Sequence, residues 1–142
     1  MRFWDTSALL PLFIAEPRTS QALAWLRVDS KIVVWTLTRV EALSALARRK
    51  RDHSAPPSEL ASSRAAFIRA YDDWSQIDDV ASVRRHAERL VETHHLRAGD
   101  AIQLGAAIAA AEDDPSNIAF VTFDVRLALA AEKEGFRVFG PR

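Results

Sequence analysis

Three short apolar runs set the fold class of this chain: Phe3-Trp4, Ile32-Val33-Val34-Trp35, and Ile118 to Thr122. Runs of this length without polar alternation read as strands covered on both faces. Between them the apolar residues recur at helical spacing. Strands alternating with helices predict a parallel, doubly wound sheet. Helices are expected over 6–15, with Pro11 in a first turn or bend, and from Pro17, with Ala22, Leu23, Trp25 and Leu26 as buried candidates. Thr38 opens a third helix with Val40, Leu43 and Ala47 at apolar spacing. His53 to Ser58 reads as a loop, and further helices follow over 58–74, 80–95, 100–112 and 125–134. Ser58 reads as an ordinary N-cap, and Gly135 as a left-handed C-cap. Gln76-Ile77 is a brief edge strand, and Phe136 to Phe139 a final one.

A chain of 142 residues is long enough to bury a sizeable core, and 1–142 reads as a single domain without repeats or low-complexity tracts. No cysteine is present, which excludes a disulfide framework and thiolate metal sites. Lys+Arg and Asp+Glu number 19 each, so the chain lacks the overall basic charge common in dedicated nucleic-acid binders. A first strand starting at Arg2 leaves no room for a signal peptide, and no apolar run spans a bilayer. A cytoplasmic location without membrane attachment is therefore expected.

Four acids stand where helices begin: Asp5, Glu41, Asp100 and Asp124. Each has an ordinary explanation. Asp5, Asp100 and Asp124 suit N-caps, and Thr38-x-x-Glu41 has the form of a capping box. Taken together they suggest more. Asp5 and Asp124 directly follow predicted strands, and Glu41 lies shortly after Ile32-Val33-Val34-Trp35. In a parallel sheet these three share the carboxyl edge, where open α/β folds bind ligands. Converging carboxylates repel one another unless a hard cation such as Mg²⁺ or Mn²⁺ neutralises them. Pattern alone does not place Asp100 on that edge, because a helix precedes it.

The segments Asp5-Thr6-Ser7-Ala8-Leu9, Thr38-Arg39-Val40-Glu41, Asp100-Ala101-Ile102-Gln103-Leu104 and Val121-Thr122-Phe123-Asp124, in this order, resemble PIN-domain ribonucleases, and more narrowly VapC-type toxins of toxin–antitoxin pairs. The resemblance covers essentially the whole chain. It implies a three-layer α/β/α fold around a parallel sheet of four to five short strands. It also implies an acidic quartet of Asp5, Glu41, Asp100 and Asp124 holding one or two Mg²⁺ or Mn²⁺ ions. Ser7 and Thr122 match small hydroxylic positions beside the quartet, suited to orienting a carboxylate or a coordinated water. The implied reaction is phosphodiester hydrolysis in single-stranded RNA, leaving a 5′-phosphate and a 3′-hydroxyl. The implied partners are the RNA substrate, a cognate antitoxin and a second copy of the chain. A housekeeping RNA-processing nuclease and a non-catalytic RNA- or protein-binding module of the same fold are the alternatives.

Arg48-Arg49-Lys50-Arg51 is the one dense basic run. It is either a solvated helix end favoured by the helix dipole or a phosphate-contacting patch. His94 and His95 are adjacent on a helix and point in different directions, which suits a surface or helix-end role better than a shared site. Trp4 and Trp35 lie in predicted strands and are assigned to the core. A haloacid-dehalogenase-type phosphatase needs an acid two residues after the strand-end Asp, where this chain has Ser7. A response-regulator receiver needs an acidic pair after its first strand, which is also absent.

Overall fold

The computed structural model describes residues 1–141. Five short strands form one sheet: β1 (Arg2–Trp4), β2 (Ile32–Trp35), β3 (Ser75–Ile77), β4 (Ala119–Val121) and β5 (Val138–Phe139). Their order is β3-β2-β1-β4-β5, with every pairing parallel. From central β1 the chain moves outward through β2 to β3. It then returns to the opposite side of β1 for β4 and β5. The carboxyl ends of β1 and β4, where Trp4 pairs with Val121, therefore border a topological switch point.

Alternation along the strands builds two cores. Phe3, Val33, Trp35 and Phe120 enter one face, and Trp4, Ile32, Val34 and Val121 enter the other. The second face is covered by α1 (Thr6–Leu9), α2 (Thr19–Val28), α3 (Thr38–Arg51) and α4 (Pro57–Asp72), which supply Leu9, Ala22, Leu46 and Phe67. The first face is covered by α5 (Val80–Thr93), α6 (Ala98–Ala110) and α7 (Val125–Lys133), which supply Leu90, Leu104 and Leu127. This is the expected three-layer arrangement.

Alanine-rich α6 packs closely against α5. A Cβ on Gly105 would stand 2.9 Å from the Val83 carbonyl oxygen, so only glycine fits without a backbone shift. After α7, Gly135 takes φ +97°, the left-handed conformation expected of a helix-ending glycine. No helix among the described residues is long and apolar enough to cross a membrane.

Several local expectations are corrected. The helix expected over 6–15 is a single α-turn that passes into a 3-10 turn at Leu10–Leu12 containing Pro11. The second helix starts at Thr19 rather than Pro17. Ser58 is not an N-cap: α4 begins at Pro57, whose missing N–H costs nothing in a first turn. On α3 the buried face is Thr38, Ala42 and Leu46, while Val40 is exposed. Val40 stands about 200° around the helix from Ala42 and so faces solvent, and Ala47 is exposed too, whereas Leu43 packs against the core as expected.

Candidate functional site

Asp5 follows the last residue of β1, and its backbone N–H donates to the Val121 carbonyl of β4 at 3.1 Å. As N-cap of α1, its Oδ1 accepts from the Ala8 N–H at 3.1 Å. Ser7 Oγ donates to Oδ1 at 2.8 Å, and Thr122 Oγ1 donates to Oδ2 at 3.0 Å. The two hydroxyls also tie down the neighbouring turn. Ser7 Oγ accepts from the Phe123 N–H at 2.8 Å, and Thr122 Oγ1 accepts from the Asp124 N–H at 3.0 Å. Ser7 and Thr122 thus connect the ends of β1 and β4, which explains small hydroxylic residues at positions 115 apart in the chain.

Asp5 is only 5% exposed, and every hydrogen bond it accepts comes from a neutral group. Burial pushes its pKa up to about 7, against the lowering effect of Ser7, Ala8 and Thr122, and the charge of Asp124 raises it further. Asp124 caps α7, accepting from the Leu127 N–H at 2.8 Å.

Asp100 lies in the first turn of α6 and is not its N-cap; that position is Arg97. Its pKa is raised first by desolvation and then by the charges of Asp124 and Glu41, with Arg97 and Arg126 opposing. The charge of Asp124 thus reaches both Asp5 and Asp100, and that of Glu41 reaches Asp100. The tertiary fold brings Asp100 to this group, which pattern alone did not.

Glu41 corrects another expectation. No capping box forms: the N-cap of α3 is Leu37, and no side chain caps the helix. Glu41 Oε2 instead accepts from Thr6 Oγ1 at 2.8 Å and from Gln103 Nε2 at 3.0 Å. Thr38 is fully buried and exchanges hydrogen bonds with Gln103. From sequence Thr38 reads only as part of a capping box, and Thr6 and Gln103 only as members of the motif segments, with no role of their own. The available signal was Gln103, a polar residue three positions after Asp100 within an otherwise apolar helix, hence near the same face.

Among the described residues, no group of three or more Asp, Glu or His is close enough to hold a metal ion by itself. The donor set nevertheless fits a hard cation that keeps part of its water shell and takes one or two carboxylates directly, as Mg²⁺ does. A buried carboxylate supplied only with neutral donors supports the same fit, because among the described residues no cation pairs with it.

The basic run occupies the last turn of α3. Arg48 is seven residues beyond Glu41, two turns or about 10 Å along the same helix face. Arg49 is committed to Glu16 at 2.8 Å, whereas among the described residues Arg48, Lys50 and Arg51 form no ion pair. His94 caps the end of α5, and its Nε2 lies 2.6 Å from Glu134 Oε1, which accords with a helix-end role.

The sequence matches the PIN domain over residues 2–133. The chain belongs to the PIN domain family. It is 32% identical over 137 residues to Ribonuclease VapC45 of Mycobacterium tuberculosis, a match covering 96% of this chain and 92% of that relative. Two solved structures share the PIN fold. FitAcB from Neisseria gonorrhoeae aligns with a TM-score of 0.68 at 14% identity, over 98% of this chain and 96% of that one. A toxin–antitoxin complex from Klebsiella pneumoniae aligns with a TM-score of 0.62 at 17% identity, over 89% of this chain and 88% of that one.

Proposed function

We propose that this PIN domain is a divalent-metal-dependent endoribonuclease that hydrolyses single-stranded RNA, and that it is the toxin of a toxin–antitoxin pair. The observation that carries the reading is Asp5: a buried carboxylate at the switch point, held by neutral donors with the charge of Asp124 beside it. The relatives named as ribonucleases support the substrate class.

Asp5, Asp100 and Asp124 would hold Mg²⁺ or Mn²⁺, with Glu41 holding a second ion or positioning the attacking water. When bound, the cation supplies a nucleophile at neutral pH and polarises the phosphate. The chain's own contribution is to prepare the site. Ser7, Thr122 and the Ala8 N–H fix the orientation of Asp5 before any ligand arrives, so little reorganisation remains at the moment of reaction. Arg97 and Arg126 moderate the repulsion at Asp100. Arg48, Lys50 and Arg51 would meet the phosphates of a substrate several nucleotides long. The partners proposed are RNA, a cognate antitoxin and a second copy of the chain.

The test is cleavage of labelled single-stranded RNA in Mg²⁺, Mn²⁺ or EDTA by the wild type and by Asp5→Asn. Metal-dependent cleavage by the folded wild type, lost by more than about a thousandfold in Asp5→Asn, is expected. Retained activity in the variant would remove Asp5 from the mechanism. A small antitoxin gene immediately upstream would support the toxin role, and its absence would favour housekeeping RNA processing.

A further inference from the structure

We infer that Gln103 is a positioning residue of the site: it holds Glu41 in one orientation, with one carboxylate oxygen tied back into the protein and the other left for a ligand. The inference rests on the nuclease reading above and assigns a role to a side chain outside the acidic quartet.

Gln103 is 2% exposed and sits on α6 among apolar neighbours, where an amide is costly unless its polar atoms are paired. Its partners all belong to the Glu41 side of the site. Nε2 donates to Glu41 Oε2 at 3.0 Å, to Thr38 Oγ1 at 2.9 Å and, at 3.4 Å, towards Thr6 Oγ1. Thr38 Oγ1 also lies 3.3 Å from Gln103 Oε1. A carboxylate oxygen only accepts, so the amide nitrogen must face Glu41 and the amide's direction is fixed. Thr6 Oγ1 adds a second donor to the same oxygen at 2.8 Å. Both bonds fall on Oε2, and Oε1 carries neither.

The chemistry of the residue suits this role. Lys or Arg at position 103 would orient Glu41 equally well but would neutralise it and compete with an incoming cation. An apolar residue would leave Glu41 held by Thr6 alone and Thr38 without its Gln103 partner. An amide donates strongly and brings no charge. Asp5 is likewise oriented by uncharged donors, Ser7 and Thr122, although there both carboxylate oxygens accept. Gln103 also lies one turn after Asp100, so a single helix carries one acid of the quartet and the group that orients another.

A double-mutant cycle on Mn²⁺ affinity, measured by titration calorimetry, tests this. Gln103→Met keeps the length of the side chain and removes the amide. It should weaken Mn²⁺ binding by about tenfold, the lower end for loss of a group that orients a ligand. It should also raise the Mn²⁺ concentration needed for half-maximal RNA cleavage by a similar factor. In a Glu41→Gln background the same substitution should change Mn²⁺ affinity no further, because Gln103 acts through Glu41. Gln103→Asn, which keeps the amide but withdraws it by one methylene, should behave likewise if the methionine variant folds poorly. An equal loss in both backgrounds, or a lower unfolding midpoint with unchanged Mn²⁺ affinity, would overturn the inference and leave Gln103 a packing residue. A wild type that binds no Mn²⁺ would bring down the metal-site reading and the inference with it. That outcome is seen before any variant is made, so the two failures are distinguishable.

Discussion

Asp5 and Glu134 are both carboxylates largely withdrawn from solvent, and the fold surrounds them in opposite ways. Glu134, its side chain 13% exposed, accepts from Arg89 at 3.0 Å and 2.5 Å and pairs with His94 at 2.6 Å. Hydrogen bonding from Arg89 lowers its pKa, with His94 contributing. Asp5 is given two hydroxyls, one backbone N–H and an acidic neighbour, and its pKa rises. Glu134 has its countercharge within the protein and joins α5 to the end of α7. Among the described residues Asp5 forms no ion pair, and burial instead pushes it towards the protonated form. The contrast separates a carboxylate that ties two helices together from one that, on the proposed function, is kept for a cation.

The largest test of this contrast is the pH dependence of stability without divalent metal. Below about pH 4, Asp5 is neutral in both folded and unfolded chains. Between about 4 and 7 the unfolded chain ionises while the folded one retains the proton, so stability falls as pH rises and then levels off. A shift of this size corresponds to at most about 4 kcal/mol. Urea unfolding in EDTA should show this decline. Asp5→Asn should flatten it, and Mn²⁺ should restore stability to the wild type above pH 7 while leaving the variant largely unchanged. A flat wild-type profile would mean that the carboxylate is already balanced by the protein.

Glu134 should show the opposite sign in a different window. Its lowered pKa stabilises the fold above the ordinary glutamate value, and that contribution is lost as pH falls through the folded value. Glu134→Gln should destabilise by about 1–2 kcal/mol, a modest figure because Arg89 is half exposed. RNA cleavage at a temperature where the variant is folded should be unchanged. A cleavage defect there would break the separation between the two regions.

The smallest effect is expected at the basic run. Arg48→Glu with Arg51→Glu should weaken RNA binding several-fold at low salt and progressively less as salt rises, as read by fluorescence anisotropy. Arg49 is the poorer probe, because its reversal also breaks the pair with Glu16 and mixes stability with binding. Binding unaffected by the double reversal would make the run a solvated helix end.

The sequence by itself determined the strands, because an apolar run such as Ile32-Val33-Val34-Trp35 leaves little alternative to burial on both faces. It also determined that Asp5 and Asp124 would share an edge, since each follows a strand and parallel strands end together. The family's motifs were legible in the same way, as short segments in fixed order. The surroundings of the acids were decided by tertiary structure. Thr38 and Glu41 have the spacing of a capping box, a local pairing, yet both turn to Gln103, more than sixty residues away. Local pattern specifies which backbone groups need partners. Which distant side chain supplies them depends on how α1, α3 and α6 pack over the sheet. Likewise Asp100 joins the other acids only because α6 delivers its first turn to the carboxyl edge, a placement carried by helix packing rather than by strand order.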